Sequence, residues 1–145
     1  MKDNFSPFSL ISAKVPKNMN QVPSHRIVIV DDSPSQCLVW REFLKDRYKN
    51  IQVETYTDPL EALEHLTPDL SLLLIDWYMP GMDGKQVLEE AKKKGINPEK
   101  IIMISVKSAR ELHEAFEPGD CLAVIEKMEP AQLGALLHIL DEMFM

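Results

Sequence analysis

Short apolar runs alternate with helix-patterned segments along this chain, and that alternation constrains the fold more than any other feature. Apolar and β-branched residues predict five strands, at residues 26–30, 51–57, 70–76, 100–105 and 121–127. Helical spacing predicts five helices, at residues 34–49, 58–66, 84–95, 108–116 and 130–145. Strands that alternate with helices are typical of right-handed βαβ crossovers and a parallel sheet.

The predicted strands differ in how apolar they are. Residues 70–76 are apolar at successive positions, which is typical of a central strand covered on both faces. Residues 51–57 alternate between apolar and polar side chains and therefore predict a half-exposed strand at the sheet edge. We predict an α/β fold, a doubly wound five-stranded parallel sheet with helices on both faces and the flavodoxin-like strand order 2-1-3-4-5.

Capping residues and apolar spacing describe the helices further. Ser33 before Pro34 and Asp58 before Pro59 are typical helix starts. In the first helix, we expect one apolar face made from four residues, Leu38, Val39, Phe43 and Leu44.

The first 24 residues differ from the rest of the chain. They carry three prolines and no clear apolar period, so we interpret 1–24 as a flexible arm and 25–145 as one domain. The chain has 145 residues, which suits one domain.

Composition excludes several classes of protein. A formal net charge of -7 argues against direct nucleic-acid binding through a broad basic face. Cys37 and Cys121 lie far apart, which argues against a disulfide scaffold or a zinc site. No apolar stretch approaches the ~18 residues needed to span a bilayer, and the N-terminus lacks a signal-peptide pattern, so we expect a cytoplasmic protein without membrane contact.

Polar residues end all five predicted strands, and only the end of the second, Thr57-Asp58, has no obvious place in a common site. The other four ends carry the candidate residues. They are Asp31 and Asp32 after the first strand, Asp76 after the third, Ser105 after the fourth and Lys127 after the fifth. In a doubly wound sheet, ligands bind outside the carboxyl ends of the strands, where the strand order reverses. The predicted strand order therefore brings three carboxylates together beside a hydroxyl and an ammonium group.

Three clustered carboxylates repel one another and need a cation or shared protons. Hard oxygen ligands without His or Cys favour Mg²⁺, with Mn²⁺ as a substitute, over zinc. A nucleophilic carboxylate, a metal, a hydroxyl and a lysine together suit phosphoryl transfer to the carboxylate. We therefore predict that Asp76 attacks phosphorus while Ser105 and Lys127 stabilise charge on the phosphoryl oxygens.

These residues resemble a known family. Asp31-Asp32-Ser33, the stretch DWYMPGMDG from Asp76, Ser105 and Lys127 are similar in kind and spacing to the signature of response-regulator receiver domains of two-component signalling. The resemblance covers residues from about 26 to 145. It implies that Asp76 is the phosphoacceptor, that Asp31, Asp32 and Asp76 bind the metal, and that the backbone carbonyl of Tyr78 is a further ligand.

The resemblance also implies partners. A histidine kinase or a histidine phosphotransfer protein would supply the phosphoryl group, and the domain would catalyse only its own phosphorylation and slow dephosphorylation. Because the chain stops after the fifth helix, we expect a stand-alone receiver that acts on a downstream protein by contact. A truncated longer regulator is the alternative.

Two departures from the family pattern bear on signalling. Met128 follows Lys127 where the family usually has proline, and Val124 replaces the usual aromatic switch residue. Tyr78 and Lys107 occupy positions that tune water access in the family, which suggests that Tyr78 shields the phosphoryl group.

Other interpretations of the same residues stay open. Asp31 and Asp32 could cap the first helix, Asp76 could start a turn, and Ser105 and Lys127 could be inert strand-end residues. The whole domain could be a pseudo-receiver, an interaction module that is never phosphorylated. A phosphohydrolase is the third class, although Tyr78 stands where such enzymes commonly carry a second aspartate.

The last helix has more apolar residues than one buried stripe requires. Five residues form the stripe, Leu133, Leu136, Leu137, Leu140 and Phe144, whereas Ile139, Met143 and Met145 add apolar surface elsewhere. The excess reflects either core packing with a frayed end or a partner or homodimer surface built from the fourth helix, fifth strand and fifth helix.

Overall fold

Five parallel strands form a single sheet in the order β2-β1-β3-β4-β5 in a computed structural model. The structure describes residues 25–145, apart from the side chain of Ala109, and the predicted arm 1–24 lies outside these residues. The strands are β1 (His25–Val30), β2 (Ile51–Tyr56), β3 (Leu72–Asp76), β4 (Ile101–Ser105) and β5 (Ala123–Glu126). The helices are α1 (Pro34–Arg47), α2 (Pro59–His65), α3 (Gly84–Lys93), α4 (Ala109–Ala115) and α5 (Pro130–Phe144), with a short 3₁₀ turn at Pro98–Lys100.

The strand order confirms the predicted doubly wound fold. β1 pairs in parallel with both β2 and β3, so that Ile29 faces Thr55 on one side and Leu74 on the other. The switch point between β1 and β3 therefore lies where the acidic residues were predicted. Every residue of β3 and β4 is buried, whereas β2 is a partly exposed edge strand, as its alternation predicted.

Alternate residues of the central strands enter two separate cores, as the two-residue period of a strand requires. One core holds Leu73 and Ile75 with residues of α2, α3 and α4. The other holds Leu72 and Leu74 with Trp40 of α1 and Leu136 of α5. Burying each such side chain contributes about 1.5–3 kcal/mol, so both helical layers are held by the same strands.

The buried face of α1 differs from the predicted one. Leu38 and Val39 are 58% and 60% exposed, whereas Cys37, Trp40 and Leu44 are buried. The prediction was right for Leu44, but it was wrong for Leu38 and Val39. Trp40 fills the space over the sheet, and the i, i+3, i+7 spacing of the buried residues places Leu38 and Val39 towards solvent.

The buried face of α5 is also broader than predicted. Leu136 and Leu140 are buried, and Ile139 and Met143 pack partly against the α1–α5 core instead of adding separate surface. Met145 is exposed, as expected. No helix within residues 25–145 combines the length and apolar character needed to cross a bilayer.

The helix starts agree with the sequence. The side chains of Ser33 and Asp58 accept hydrogen bonds from the first turns of α1 and α2, and proline occupies the first helical position of each. The basic run at the end of α3 is followed by Gly95, whose φ of +91° suits a glycine after a helix.

Candidate functional site

The carboxyl edge of the sheet brings the three predicted aspartates together. Asp76 is the last residue of β3, and Asp31 directly follows the neighbouring strand β1. One carboxylate oxygen from each of Asp31, Asp32 and Asp76 lies within 4.8 Å of the others. Asp31 and Asp76 are buried and Asp32 is exposed, so the cluster opens to solvent on one side.

Lys127 places its ammonium group beside this cluster. Its Nζ lies 3.7 Å from Asp31 Oδ2 and 3.8 Å from Asp76 Oδ1. Its backbone N–H donates to the carbonyl of Ser105 at 2.7 Å, which fixes the loop after β5 against β4. The described residues contain no cis peptide bond, so the Lys127–Met128 bond is trans and the lysine still faces the carboxylates.

Asp76 is held in an environment that disfavours its charge. Burial raises its pKa to about 6, and the neighbouring Asp31 and Asp32 act in the same direction. Lys127 and a backbone hydrogen bond from Tyr78 act in the opposite direction. Burial therefore outweighs the nearby ammonium group, and an added cation would lower the pKa again.

Asp31 has a buried oxygen that accepts no hydrogen bond, although the Lys127 ammonium lies 3.7 Å away. Its Oδ1 accepts the backbone N–H of Ser33 at 3.0 Å, but its buried Oδ2 has no hydrogen-bond partner. Buried polar atoms are normally paired, and an unpaired carboxylate oxygen within an acidic cluster is the donor that a hard cation would use. The residues present therefore fit an Mg²⁺ ion.

Ser105 is fully buried at the end of β4. Its Oγ accepts the backbone N–H of Lys107 at 3.2 Å, and the hydroxyl proton remains available for donation. The structure does not favour the alternative that Asp31 and Asp32 cap the first helix. Ser33 caps α1 by accepting the N–H of Gln36.

The loop after Asp76 is closed by a glycine whose role the sequence analysis missed. A Cβ on Gly84 would lie 2.5 Å from the carbonyl oxygen of Asp76 and 2.7 Å from Cα of Trp77. Gly84 also donates its N–H to the carbonyl of Trp77 at 2.8 Å. Only glycine permits this approach, and a Gly at a helix start was the available signal.

Cys37 is a second residue near the site that sequence reasoning did not place there. Its thiol lies 3.2 Å from the carbonyl oxygen of Asp31, to which it donates, and it is buried behind the cluster. Burial raises its pKa to about 11, so the thiol stays neutral and supports the loop rather than reacting.

Comparison with known proteins identifies the family. Residues 27–138 match the model described as the response regulator receiver domain. The chain is 30% identical over 112 residues to the cyclic di-GMP phosphodiesterase response regulator RpfG of Xanthomonas campestris. The matched region covers 75% of this chain and 30% of that protein. It is 31% identical over 97 residues to sporulation initiation phosphotransferase F of Bacillus subtilis, which covers 66% of this chain and 77% of that protein.

Solved structures share the fold. The response regulator TrrA of Thermotoga maritima, described in complex with Mg²⁺ and BeF, has a TM-score of 0.67 at 22% identity, covering 83% of this chain and 99% of that one. Chemotaxis protein CheY4 of Vibrio cholerae has a TM-score of 0.66 at 21% identity, covering 83% and 98%.

Receiver domains are phosphoacceptor signalling modules whose acidic pocket binds Mg²⁺. The chain spans 30% of the length of the RpfG relative and 70% of the rice two-component response regulator ORR6. The family match, the sheet order and the location of the acidic cluster agree with one another. This chain belongs to the response regulator receiver domain family.

Proposed function

We propose that Asp76 accepts a phosphoryl group from a phosphohistidine on a partner histidine kinase or phosphotransfer protein. The observation that carries this proposal is the cluster of Asp31, Asp32 and Asp76 within 4.8 Å, with Lys127 3.8 Å from the proposed acceptor. An acidic cluster, a buried hydroxyl and a lysine at one strand edge suit transfer to a carboxylate.

The proposed step exchanges one bond to phosphorus for another. A carboxylate oxygen of Asp76 attacks phosphorus in line, forming a P–O bond as the P–N bond to the donor imidazole breaks. The imidazole nitrogen keeps the electron pair of that bond and takes up a proton. Neutral pH is above the Asp76 pKa of about 6, so the carboxyl group is ionised and can attack phosphorus.

Mg²⁺ is the proposed cofactor, with Mn²⁺ as a substitute. Asp31, Asp32, Asp76 and the backbone carbonyl of Tyr78 would hold it. When bound, the ion supplies positive charge that offsets the repulsion among the carboxylates and the charge of the incoming phosphoryl group.

Lys127 and Ser105 are the proposed stabilising groups. The ammonium of Lys127 already faces Asp31 and Asp76, so it can bind a phosphoryl oxygen without a large movement. The hydroxyl of Ser105 can donate to a second oxygen while its Oγ continues to accept the N–H of Lys107.

Partner contacts belong to this proposal. An apolar groove of about 310 Å³ between α1 and α5 is lined by Val39, Phe43, Leu133 and Lys127, next to the site, and supports docking of the phosphoryl donor there. On the other side, Leu122 and Met128 are exposed near α4, β5 and α5, which supports a downstream target or a homodimer on that face. We propose a cytoplasmic location for this signalling.

Incubation with Mg²⁺ and acetyl phosphate, followed by intact mass, tests the proposal. One stable phosphoryl adduct is expected in the wild type and in Asp46→Asn, an exposed aspartate on α1, but not in Asp76→Asn. An unmodified wild type supports instead the pseudo-receiver, which Val124 and Met128 favour. Release of many equivalents of phosphate supports a phosphohydrolase.

A further inference from the structure

The two residues after the acceptor form a continuous aromatic chain with α4. The rings of Trp77 and Tyr78 stack at 5.9 Å with an interplanar angle of 12°. The ring of Phe116, which follows α4 directly, meets Trp77 edge-on at 5.5 Å. The ammonium of Lys107, which precedes α4, lies 4.9 Å from the centre of the Tyr78 ring. We call Trp77, Tyr78, Lys107 and Phe116 the aromatic clamp.

The clamp holds both ends of a short helix. At the first end, Lys107 Nζ pairs with Glu111 at 3.3 Å, so one ammonium group joins α4 to Tyr78. At the second end, Lys85 of α3 donates to the carbonyl of Ala115 at 2.8 Å and its Nζ lies 5.5 Å from the Phe116 ring centre. Seven residues make a helix with little stability of its own, so these contacts position it.

The two ends differ in how firmly they are held. Phe116 is 6% exposed and belongs to a core cluster that includes Leu112 and Val124. Tyr78 is 53% exposed, and the Lys107–Glu111 pair is partly exposed. Exposed cation–π and ion-pair contacts are individually weak, so the Lys107 end is the one that a new charge can release.

Phosphorylation would introduce that charge two residues from Tyr78. An acyl phosphate carries up to about two negative charges and three strong acceptor oxygens. Lys107 has a flexible stem, and its backbone N–H already contacts Ser105, a residue that faces the proposed phosphoryl group. Mg²⁺ and Lys127 would offset part of this charge, but the phosphoryl oxygens remain stronger acceptors for an ammonium group than an aromatic face is.

We propose that phosphorylation of Asp76 draws Lys107 away from Tyr78 and Glu111, so that the N-terminal end of α4 loosens while Phe116 and Trp77 keep its C-terminal end in place. In this mechanism α4 carries the signal, and no rotating aromatic residue is needed where β5 has Val124. The inference rests on the proposed function, because it assumes a phosphoryl group on Asp76.

Amide hydrogen exchange with Mg²⁺ and beryllofluoride, an acyl-phosphate mimic, tests this directly. The amides of Glu111 and Leu112, which bond to Ser108, are expected to exchange about fivefold faster or more with the mimic. The amide of Phe116, which bonds to the carbonyl of Leu112, is expected to change little. Lys107→Gln should show the faster pattern without the mimic and no further response to it.

Arg110→Gln is the matched control, because it removes an exposed i, i+4 pair with Glu114 on the same helix without touching the clamp. It should keep the wild-type response. Trp77 fluorescence in a Trp40→Phe background gives a second signal, which should change when the mimic binds. A wild type that forms the acetyl phosphate adduct but shows equal exchange in α4 with and without the mimic overturns the clamp alone. A wild type that forms no adduct overturns the proposed function and this inference together.

Discussion

Two carboxylates of this domain occupy opposite electrostatic settings. Asp141 on α5 accepts hydrogen bonds from Arg47 at 2.9 and 2.8 Å and from the Tyr48 hydroxyl at 2.7 Å. These donors lower its pKa to about 2. Asp76 has its nearest ammonium group at 3.8 Å and two carboxylates beside it, and burial raises its pKa to about 6.

The difference separates a carboxylate that joins two helices from one that, in the proposed function, binds a ligand. Arg47, Tyr48 and Asp141 join the end of α1 to α5, and the protein alone completes that network. The protein alone does not complete the cluster around Asp76, because one buried oxygen of Asp31 has no hydrogen-bond partner. Such a site lowers the stability of the metal-free domain, and under the proposed function a bound cation would raise that stability again.

Glycine substitution gives the largest expected contrast between the two regions. Gly84→Ala should destabilise the domain by about 3 kcal/mol or more, because the new Cβ would meet backbone atoms of Asp76 and Trp77. Urea unfolding of the purified variant measures this free energy.

Gly134→Ala in α5 is the matched control. A Cβ added at Gly134 would meet nothing within 4 Å, so alanine should stabilise the helix by about 0.5–1 kcal/mol. Equal effects of the two substitutions would contradict the close packing assigned to the loop after β3.

The pH dependence of metal-free stability sharpens the comparison. Between pH 3.8 and about 6 the unfolded chain loses the Asp76 proton before the folded domain does, so folding stability falls as pH rises. Asp76→Asn should therefore stabilise the EDTA-treated domain by about 2 kcal/mol at pH 7.5 and hardly at all at pH 4. Urea unfolding at both pH values measures the change.

Asp141→Asn should behave in the opposite way. The lowered pKa of Asp141 contributes stability that is fully present above its unfolded value of 3.8 and is lost as pH falls towards 2. This variant should be destabilised at both pH 4 and pH 7.5. A loss of stability in Asp76→Asn at pH 7.5 would contradict the strained state assigned to the cluster.

Mg²⁺ binding should offset part of the stability that the acidic cluster costs the folded domain. At ten times its dissociation constant, an ion that binds only the folded domain stabilises it by about 1.4 kcal/mol. We expect this increase in the wild type and in Asp141→Asn, and its loss in Asp32→Asn, which keeps the fold but removes the exposed carboxylate of the cluster. Thermal unfolding across an Mg²⁺ titration measures it, and an unchanged response in Asp32→Asn would argue against the site.

Tyr78 gives the smallest expected effect. Its ring is half exposed and stacks on Trp77, so we expect it to shield the site only in part. Tyr78→Ala should speed dephosphorylation roughly two- to fivefold, a change of about 1 kcal/mol or less in the barrier, whereas Tyr78→Phe should stay near wild type. Loss of the intact-mass adduct over time gives both rates, and equal rates in Tyr78→Ala and wild type would contradict shielding.

The strands could be predicted from short-range patterns, and the doubly wound order 2-1-3-4-5 expected for that class then predicted the meeting of the three aspartates. Apolar runs set the strands, and parallel strands must end at one edge. The buried face of α1 could not be predicted in the same way. Trp40, Leu38 and Val39 are all apolar, and the local pattern does not specify which of them packs against the sheet.

Contacts between side chains that are far apart in the chain could not be predicted from the sequence either. Phe116 meets Trp77 across 39 positions of the chain, and the spacing of neither residue indicates the contact. The hydrogen bond from Arg47 to Asp141 likewise depends on how α1 and α5 pack, and no local pattern specifies that packing.

Chemical localisation of the phosphoryl group tests the central claim most directly. After incubation with acetyl phosphate and Mg²⁺, borohydride reduces an aspartyl phosphate to homoserine, which peptide mass spectrometry assigns to one position. We predict homoserine at position 76 in the wild type, with Asp141 and the other carboxylates unchanged, and no homoserine when EDTA replaces Mg²⁺. Homoserine at another position, or none in the wild type with Mg²⁺ present, would contradict the assignment of Asp76 as the acceptor.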